Sequence, residues 1–279
     1  AILEAIDKKK TTAVVLLDMS KAFDSIHHTT LLDKLLDVGV STDALQWFRS
    51  YLSNRNQVVR INSTLSDALP LVSGVPQGSI MGPLLFTIYV NDIPTIPKNC
   101  STECYVDDTK LYMSFGVKEC HNAVTAINED LLRIRDWCFD NGLLLNPEKT
   151  KLIVYGSRQM TEKLPQSNIS LLGKELTPAN TVKDLGVTFD KNLTFNEHTI
   201  NLVSSCTSAL AQISRVKHIF KNELITIINA LVFSKLYYCS SVWSNTTLSN
   251  IQKLQKVQNF AVRIVSNKRK YDHITPALK

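Results

Sequence analysis

Two adjacent acidic residues, Asp107 and Asp108, lie between two short runs of residues that favour β-strands. Residues 104–112 therefore predict a strand, a tight turn and a returning strand. The two acids belong at the hairpin tip, because Asp is a common turn residue and a poor one inside a strand. Neighbouring carboxylates repel, and burying them unpaired is costly. A bound cation would relieve that cost, and a solvated turn is the alternative interpretation.

A third acid, Asp18, directly follows the apolar run at 13–17. An apolar run without alternation predicts a strand that is buried on both faces, so Asp18 would lie at its C-terminal tip. A separate stretch at 73–83 is rich in Gly and Pro and leads into an apolar helix. These two stretches favour a catalytic interpretation of the acidic pair over a plain turn.

Three ordered motifs carry a family resemblance: Asp18 with Phe23 five residues later, Gly-Val-Pro-Gln-Gly-Ser at 74–79, and Tyr-Val-Asp-Asp at 105–108. They resemble the palm motifs of reverse transcriptases, and their sequences are most similar to those of non-LTR (LINE-type, jockey-like) retrotransposons. The similar stretches are Leu-Asp-Met-Ser-Lys-Ala-Phe-Asp at 17–24, Gly-Pro-Leu-Leu-Phe at 82–86, Asn-Asp-Ile-Pro at 91–94, Leu-Asn-Pro-Glu-Lys-Thr-Lys at 145–151 and Leu-Gly-Val at 185–187. The resemblance therefore covers essentially the whole chain.

The resemblance implies a two-metal nucleotidyl transfer site. Asp18 and Asp107 would be the bridging ligands of two Mg²⁺ ions, with Mn²⁺ as a possible substitute. Asp108 would be the third acid, and the backbone carbonyl of Met19 a further ligand. These four residues are the expected catalytic and metal-binding set.

The resemblance also implies a pocket for the incoming nucleotide. Ala22 and Phe23 would lie beside its sugar, where the Phe23 ring leaves no room for a 2′-hydroxyl and so selects deoxynucleotides. Gln77 could hydrogen-bond the sugar or the template base, and Gly78 would let the backbone approach closely. The alternatives are an ordinary core Phe and a simple loop before a helix.

Two lysines compete for a role at the leaving pyrophosphate. Lys149 matches the lysine of the family's fourth motif and could protonate or neutralise that group. Lys151 would lie on the same face if the segment is a strand, and a plain surface role is the alternative for both. Leu185 and Gly186 fall in the region that, by the resemblance to the family, would form the primer-gripping hairpin.

The hydrophobic pattern indicates which elements position these residues. It predicts helices at about 27–38, 41–52, 79–92 and 119–141, and strands at about 13–18, 56–62, 68–73, 151–155 and 181–189. This order fits an α+β fold in which helices cover one face of an antiparallel sheet. That architecture matches the palm of a right-hand polymerase, with partial fingers and a C-terminal helical thumb.

Three regions are expected along the chain. Residues 1–158 would form the palm, with partial fingers at about 40–73. Residues 159–194 would connect it through short strands, including the primer grip. Residues 195–279 carry three helical patterns and would form the thumb.

The charge is unevenly distributed over the 279 residues. From residue 195 onward there are 11 Lys or Arg and 3 Asp or Glu, a net charge of +8. The preceding residues carry 20 and 22, a net charge of −2, which together give the total of +6. A basic C-terminal third suits contact with a phosphate backbone, and a solvated surface is the alternative.

Other properties of the whole sequence indicate where in the cell the protein is expected. No apolar run reaches about 18 residues, and no secretory signal is evident, so we expect no membrane span. Six cysteines are scattered without zinc-type pairing, which favours reduced thiols in an intracellular protein. The family resemblance places the polymerase at a nicked chromosomal target, and thus in the nucleus. The oligomeric state stays open.

The expected function is an RNA-directed DNA polymerase that uses an RNA template, a DNA primer and dNTPs. The competing interpretation is a decayed, non-catalytic nucleic-acid-binding copy, against which the three intact acids argue. The chain begins at Ala1 rather than Met, which indicates a fragment. Only 17 residues precede Asp18, so the basic fingers residues that the family places upstream would be missing, leaving the fragment incomplete for catalysis.

Overall fold

The structure is a computed structural model that describes residues 2–165, 168–269 and 271–277. The chain divides into two compact units, one ending at Ala179 and one beginning at Asn180. Each unit has a hydrophobic core of its own.

The first unit mixes helices and short strands. Its helices are α1 (Ile2–Asp7), α2 (His28–Asp37), α3 (Thr42–Leu52), α4 (Met81–Tyr89), α5 (Cys120–Asp140) and α6 (Arg158–Thr161). Its strands are β1 (Thr11–Leu17), β2 (Met19–Ser20), β3 (Asn56–Gln57), β4 (Arg60–Ile61), β5 (Thr64–Leu65), β6 (Leu69–Pro70), β7 (Ser101–Tyr105), β8 (Asp108–Phe115), β9 (Leu144–Leu145), β10 (Lys151–Tyr155), β11 (Ser170–Leu171) and β12 (Lys174–Glu175). Short 3₁₀ turns span Ala22–Asp24, Ile93–Thr95 and Val117–Glu119.

The main sheet has four strands in the order β10-β1-β8-β7, and all of its pairs are antiparallel. On β1, Val15 lies between Leu152 of β10 and Leu111 of β8. The predicted antiparallel sheet is therefore confirmed, and the first strand lies inside it.

Strand β1 is buried on both faces, as its unbroken apolar run predicts. Ala13, Val15 and Leu17 contribute to the main core. Val14, which points to the opposite face, is 7% exposed, and its register partner Ile153 is fully buried. Burial on both sides fixes the position of the strand's C-terminal end, where Asp18 follows.

Two predicted amphipathic helices form with the expected faces. Leu31 and Leu35 of α2 are buried, and so are Ile127 and Leu131 of α5. Each set recurs at the three- or four-residue spacing of a helix face. These faces pack into the same core as β1.

Helix α4 is shorter than the predicted 79–92. Its start is delayed because the Ser79 hydroxyl donates to the carbonyl of Pro76 at 2.7 Å and accepts from the amide of Gly82 at 3.0 Å. Its end comes early because a 3₁₀ turn containing Pro94 follows, and Pro cannot continue an α-helix.

The expected strand at 56–62 is broken into β3 and β4, the expected strand at 68–73 is reduced to β6, and β5 lies between the two predicted strands. β3 pairs with β6 and β4 pairs with β5, two residues to a strand. The break occurs because the amide of Val59 donates to the side-chain oxygen of Ser66 at 2.9 Å. A side-chain acceptor thus takes the place of a ladder carbonyl, and the simple two-strand prediction is wrong in this detail.

The second unit is a hairpin followed by helices. Its elements are β13 (Thr181–Asp184), β14 (Val187–Asp190), α7 (Asn196–Val216), α8 (Leu224–Ile228), α9 (Ser234–Tyr237), α10 (Ser240–Trp243) and α11 (Leu248–Val265). A π-helical segment, Asn229–Phe233, joins α8 to α9, and a 3₁₀ turn spans Thr275–Ala277. The three predicted helical patterns are present, and the middle one is divided by the π segment.

The residue pattern predicts a single strand at 181–189, and the structure has a hairpin there, as the resemblance to the family implies. Leu185 and Gly186 form its two-residue turn, and their φ angles are 42° and 84°. Two consecutive positive φ values are typical of the turn type that matches the twist of a hairpin. The turn was missed because Leu at its first position is not a turn signal.

Within the described ranges, no helix has the length and apolar content needed to cross a bilayer.

Candidate active site

The end of β1 lies next to the acidic hairpin. Leu17 of β1 pairs with Thr109 of β8, so the next residue, Asp18, continues alongside Asp108 on the adjacent strand. Asp18 and Asp108, which are far apart in sequence, are thus placed side by side at one end of the sheet. This neighbourhood is the one that the motifs predict.

The hairpin tip differs by one residue from the expectation. Tyr105 pairs with Asp108, so the two-residue turn consists of Val106 and Asp107, and Asp108 is the first residue of β8. Val106 adopts a left-handed φ of 57°, which is strained for a β-branched residue. Asp107 alone is therefore at the tip, and it is exposed to solvent.

The backbone of Asp18 is held by the segment between β9 and β10. Its amide donates to Oγ1 of Thr150 at 3.3 Å, and its carbonyl accepts from the amide of Asn146 at 2.8 Å. The Thr150 hydroxyl in turn donates to the carbonyl of Asn146 at 2.8 Å. Two hydrogen bonds therefore join Asp18 to the turn that carries the fourth motif, and a third stabilises the turn itself.

Met19, the predicted backbone ligand, lies in the short strand β2 beside β9. The Asp18 carbonyl accepts from the Asn146 amide, and Met19 pairs with Leu145 at the next position. Hydrogen-bonded and non-hydrogen-bonded pairs alternate in an antiparallel ladder, so the Met19 carbonyl points away from Leu145. The ligand role of Met19 stays a prediction.

The side chain of Asp18 fits a cation. Its Oδ2 atom is buried and has no hydrogen-bond partner among the described residues. A buried carboxylate oxygen without a donor is costly, and a hard cation such as Mg²⁺ is an appropriate partner for it. Across residues 2–165, 168–269 and 271–277, however, the structure gathers no group of three or more acidic, His or Cys side chains in a metal-binding arrangement.

Phe23 combines a core contact with partial exposure. Its ring stacks on Phe86 with centroids 4.7 Å apart and planes at 24°. Phe23 is half-buried, whereas the neighbouring Ala22 is buried. The ring is thus fixed by the core and still presents an edge outside it, which is compatible with both interpretations of this residue.

The Gly/Pro-rich loop is attached to the segment that follows Asp18. The amides of Gly74 and Val75 donate to the carbonyls of Ile26 and Phe23 at 2.8 and 2.9 Å. The Ser73 hydroxyl donates to the Asp24 carbonyl at 3.0 Å. The first two motifs therefore form one hydrogen-bonded substructure.

Asp24 also orients the predicted substrate residue of this loop. The Gln77 side-chain amide donates to Oδ1 of Asp24 at 2.8 Å. Gln77 and the adjacent Gly78 are exposed, and a Cβ at Gly78 would meet nothing within 4 Å. Asp24 and Thr150 are not among the site residues predicted from the sequence, although both lie in the stretches that carry the resemblance.

The two candidate lysines are both exposed. Lys149 lies in the turn at 146–150, where its amide donates to Oδ1 of Asn146 at 3.3 Å. Lys151 begins β10 and pairs with Leu16. Lys149 thus belongs to the turn that holds Asp18, and Lys151 to the sheet.

The predicted primer-grip residues belong to the second unit. The Leu185 carbonyl accepts from the Tyr238 hydroxyl at 2.8 Å. A Cβ at Gly186 would lie 3.1 Å from the Tyr238 ring. The hairpin turn is therefore packed closely on one aromatic side chain.

The family described as reverse transcriptase (RNA-dependent DNA polymerase) matches residues 3–189. The match covers more than half of the chain and includes all three palm motifs. The chain therefore belongs to the reverse transcriptase family.

Among its relatives, the probable RNA-directed DNA polymerase from transposon BS of Drosophila melanogaster is 28% identical over 277 residues. That alignment covers 95% of this chain and 30% of the relative. The RNA-directed DNA polymerase from mobile element jockey of the same species is 26% identical, over 95% of this chain and 29% of its own length. The resemblance to non-LTR retrotransposon polymerases is confirmed, and the chain spans under a third of these relatives.

Among solved structures, two telomerases in complex with the TWJ fragment of telomeric RNA align with most of this chain. The Candida tropicalis telomerase is 12% identical, over 95% of this chain and 45% of its own, with a TM-score of 0.47. The Candida albicans telomerase is 14% identical, over 96% and 46%, with a TM-score of 0.42.

Proposed function

We propose that this chain is the core of an RNA-directed DNA polymerase that extends a DNA primer with dNTPs on an RNA template during retrotransposition. The observation that carries the proposal is the position of Asp18 beside the Asp107–Asp108 hairpin in a member of the reverse transcriptase family. The curated relatives are polymerases of mobile elements, which supports the same activity.

Asp18 and Asp107, with the carbonyl of Met19, would hold two Mg²⁺ ions, and Asp108 would complete the acidic set. Mn²⁺ has similar ligand preferences and could replace Mg²⁺. When bound, such a pair of ions stabilises the attacking and leaving oxygens of an in-line displacement at phosphorus. The contribution of the chain is to hold the carboxylates in place, and the contacts of Asp18 with Asn146 and Thr150 support that role.

The nucleotide would lie between the segment at 22–24 and the loop at 73–78. Phe23, fixed by its stack on Phe86, would exclude a 2′-hydroxyl by volume. The Gln77 amide has one N–H engaged by Asp24, which leaves a second N–H and the carbonyl oxygen to contact a sugar or template base. Ala22 and Gly78 would allow close approach of the backbone.

Lys149 would neutralise or protonate the leaving pyrophosphate. Its location in the turn that holds Asp18 supports this assignment over Lys151. Leu185 and Gly186 would contact the primer. Their tight turn is held in place by Tyr238, whose hydroxyl donates to the Leu185 carbonyl, and a fixed turn suits that role. The first unit would correspond to a palm with partial fingers, and the helices of the second to a thumb.

The direct test is primer extension by the full-length protein that contains this chain. An oligo(dT) primer on poly(rA) should be extended in the presence of Mg²⁺ and dTTP, and EDTA should abolish extension. The same preparation should be tested for primer–template binding without nucleotide. Binding without extension would favour the decayed, non-catalytic interpretation.

A further inference from the structure

His28, the first residue of α2, contacts the Gly/Pro-rich loop from the side of the helix. Its Nε2 atom lies 2.8 Å from the carbonyl oxygen of Gly74, which is 46 positions later in the sequence. A backbone carbonyl can only accept, so Nε2 carries the proton and donates. This hydrogen bond joins the start of α2 to the start of the loop at 73–78.

The helix that carries His28 is a rigid support. Its inner face is buried in the core of the first unit through Leu31 and Leu35. The Lys34 ammonium also donates to the carbonyl of Tyr89 at 2.7 Å, which attaches α2 to the end of α4. The imidazole at the first position of this helix is therefore presented to the loop from a fixed base.

Gly74 is held through both of its backbone polar groups. Its amide donates to the carbonyl of Ile26 at 2.8 Å, and its carbonyl accepts from His28. Its φ is 84°, and a Cβ at this position would lie 2.9 Å from backbone atoms of Asp24. The backbone therefore has no room to move toward Asp24, and the two hydrogen bonds fix it from the other directions.

The proposed substrate residues Gln77 and Gly78 lie between this contact and α4, and both are exposed. The far end of the loop is fixed by the Ser79 hydroxyl, which accepts from the amide of Gly82 in the first turn of α4 at 3.0 Å. The loop is thus attached to one helix at its start, through His28, and to another at its end. Release of either attachment would move the exposed residues between them.

We propose that His28 is a positioning residue of the nucleotide pocket. Its imidazole fixes the loop at 73–78 so that Gln77 meets the incoming nucleotide or the template base without first paying the cost of ordering the loop. The nucleotide part of this inference rests on the proposed polymerase function, whereas the attachment of the loop to α2 does not. The alternative is a helix-start residue that contributes to stability alone.

The test uses four variants of the full-length protein that contains this chain. His28→Leu removes the donor, and His28→Asn carries an amide that is too short to reach Gly74. His28→Gln restores an N–H at nearly the position of Nε2. His27→Gln is the matched control, because the ring of this neighbouring imidazole lies against Gly142. Thermal unfolding first verifies that each variant folds.

The first measurement is steady-state extension of oligo(dT) on poly(rA). The KM for dTTP should rise about five- to tenfold in the Leu and Asn variants of His28, the size of one lost hydrogen bond, with kcat changed by less than about threefold. His28→Gln and His27→Gln should keep the wild-type KM. A purely structural role would lower the active fraction, and therefore kcat, while leaving KM in place.

A double variant tests whether His28 acts through the loop. Gln77→Ala combined with His28→Leu should raise the KM for dTTP little more than Gln77→Ala alone, because residues that act through one contact are not additive. Fully multiplied effects would show that His28 acts elsewhere and would overturn the proposal.

Hydrogen exchange of the loop gives a readout that needs no activity. The amides of Gly74 and Val75 should exchange about five- to tenfold faster in His28→Leu and at the wild-type rate in His28→Gln. This pattern in a protein that extends no primer would refute the polymerase function and leave the attachment standing. Equal exchange in wild type and His28→Leu, or an equal KM for dTTP in an active protein, would overturn the role of His28.

Discussion

The backbone amide of Asp18 donates a hydrogen bond to the side-chain hydroxyl of Thr150, which lies 132 positions later in the sequence. Thr150 is 6% exposed, and the same hydroxyl donates to the Asn146 carbonyl. One buried oxygen thus connects the first acidic motif to the turn of the fourth. Thr150 is therefore a positioning residue for the proposed metal site.

Replacement of Thr150 by Val should slow primer extension. Loss of the hydroxyl removes an anchor of Asp18, and a misplacement of about 1 Å can cost up to about a hundredfold in rate. We expect kcat to fall about ten- to a hundredfold while the KM for primer–template is nearly unchanged. Steady-state extension assays measure both constants.

Thr150→Ser is the matched control, because it retains the oxygen. It should keep most of the wild-type kcat. If Val and Ser variants have equal rates, the hydroxyl does not position Asp18.

Gly74 and Gly78 in the second motif allow the energetic cost of backbone strain to be measured separately from the cost of a steric clash. Gly74 and Gly78 both have positive φ, at 84° and 81°. A Cβ at Gly74 would lie 2.9 Å from backbone atoms of Asp24, whereas one at Gly78 would meet nothing within 4 Å. Gly78→Ala should lower the free energy of unfolding by about 1–2 kcal/mol, because only the left-handed backbone conformation opposes it.

Gly74→Ala should cost clearly more than Gly78→Ala in the free energy of unfolding, because it must also displace backbone. Urea denaturation of the two variants gives the comparison. A smaller or equal loss for Gly74→Ala would contradict the close packing of the loop at 73–78 on Asp24.

Asp130 should be the main acid-sensitive group of the first unit. Burial by itself would raise its pKa, but hydrogen bonds from three backbone amides and the Arg133 guanidinium outweigh that effect, so the pKa lies below its ordinary value. The three amides belong to Lys98, Asn99 and Cys100. Asp130→Asn should cost about 2–3 kcal/mol at pH 7, since charged hydrogen bonds are lost in a buried site.

The stabilisation by Asp130 depends on pH with a definite sign. Because its folded pKa is lowered, the contribution is complete above the unfolded pKa of about 3.9 and is lost as pH falls through the folded value. The difference between wild type and Asp130→Asn should therefore shrink below about pH 4. Asp136→Asn, at an exposed position of the same helix, should show little effect at either pH. A constant difference from pH 7 to pH 2 would contradict the assignment.

Much of this arrangement was predictable because its signals are local. The apolar run before Asp18 predicts a doubly buried strand, and the helical periodicity predicts α2 and α5. The contacts that complete the site are not local. The bond from Gln77 to Asp24 spans 53 positions, and nothing in either residue's surroundings specifies the other.

Turn chemistry accounts for two of the errors in the strand predictions. Leu185 at φ 42° and Val106 at φ 57° occupy backbone conformations that their residue types disfavour. Propensity therefore extended one strand through Leu185 and placed both acids, rather than Asp107 alone, at the tip of their hairpin. In both cases the pairing of the flanking strands overrides the local preference.

Phe23 should control the choice of sugar. Shortening it to Val removes the part of the ring that faces outward from its stack on Phe86, which opens space for a 2′-hydroxyl. Discrimination between dNTP and rNTP should fall by about ten- to two-hundredfold, the range of small steric differences. The ratio of kcat/KM for the two substrates measures it.

Phe86→Leu is the control for the Phe23 experiment, because Phe86 is fully buried beneath Phe23. It should lower stability and leave sugar discrimination largely intact. A falling activity with an unchanged dNTP to rNTP ratio in Phe23→Val would assign Phe23 to the core alone.

The proposed mechanism requires that Asp18, Asp107 and Asp108 act together at one end of the sheet. Extension of oligo(dT) on poly(rA) by the full-length parent protein tests it, with Asp18→Asn, Asp107→Asn and Asp108→Asn compared against Asp37→Asn. Asp37 is an exposed residue at the end of α2, so its substitution changes the charge equally outside the site. Each site variant should lose extension by at least about a hundredfold while remaining folded, since a charge that stabilises the transition state is removed. Wild-type rates in all three site variants would contradict the account.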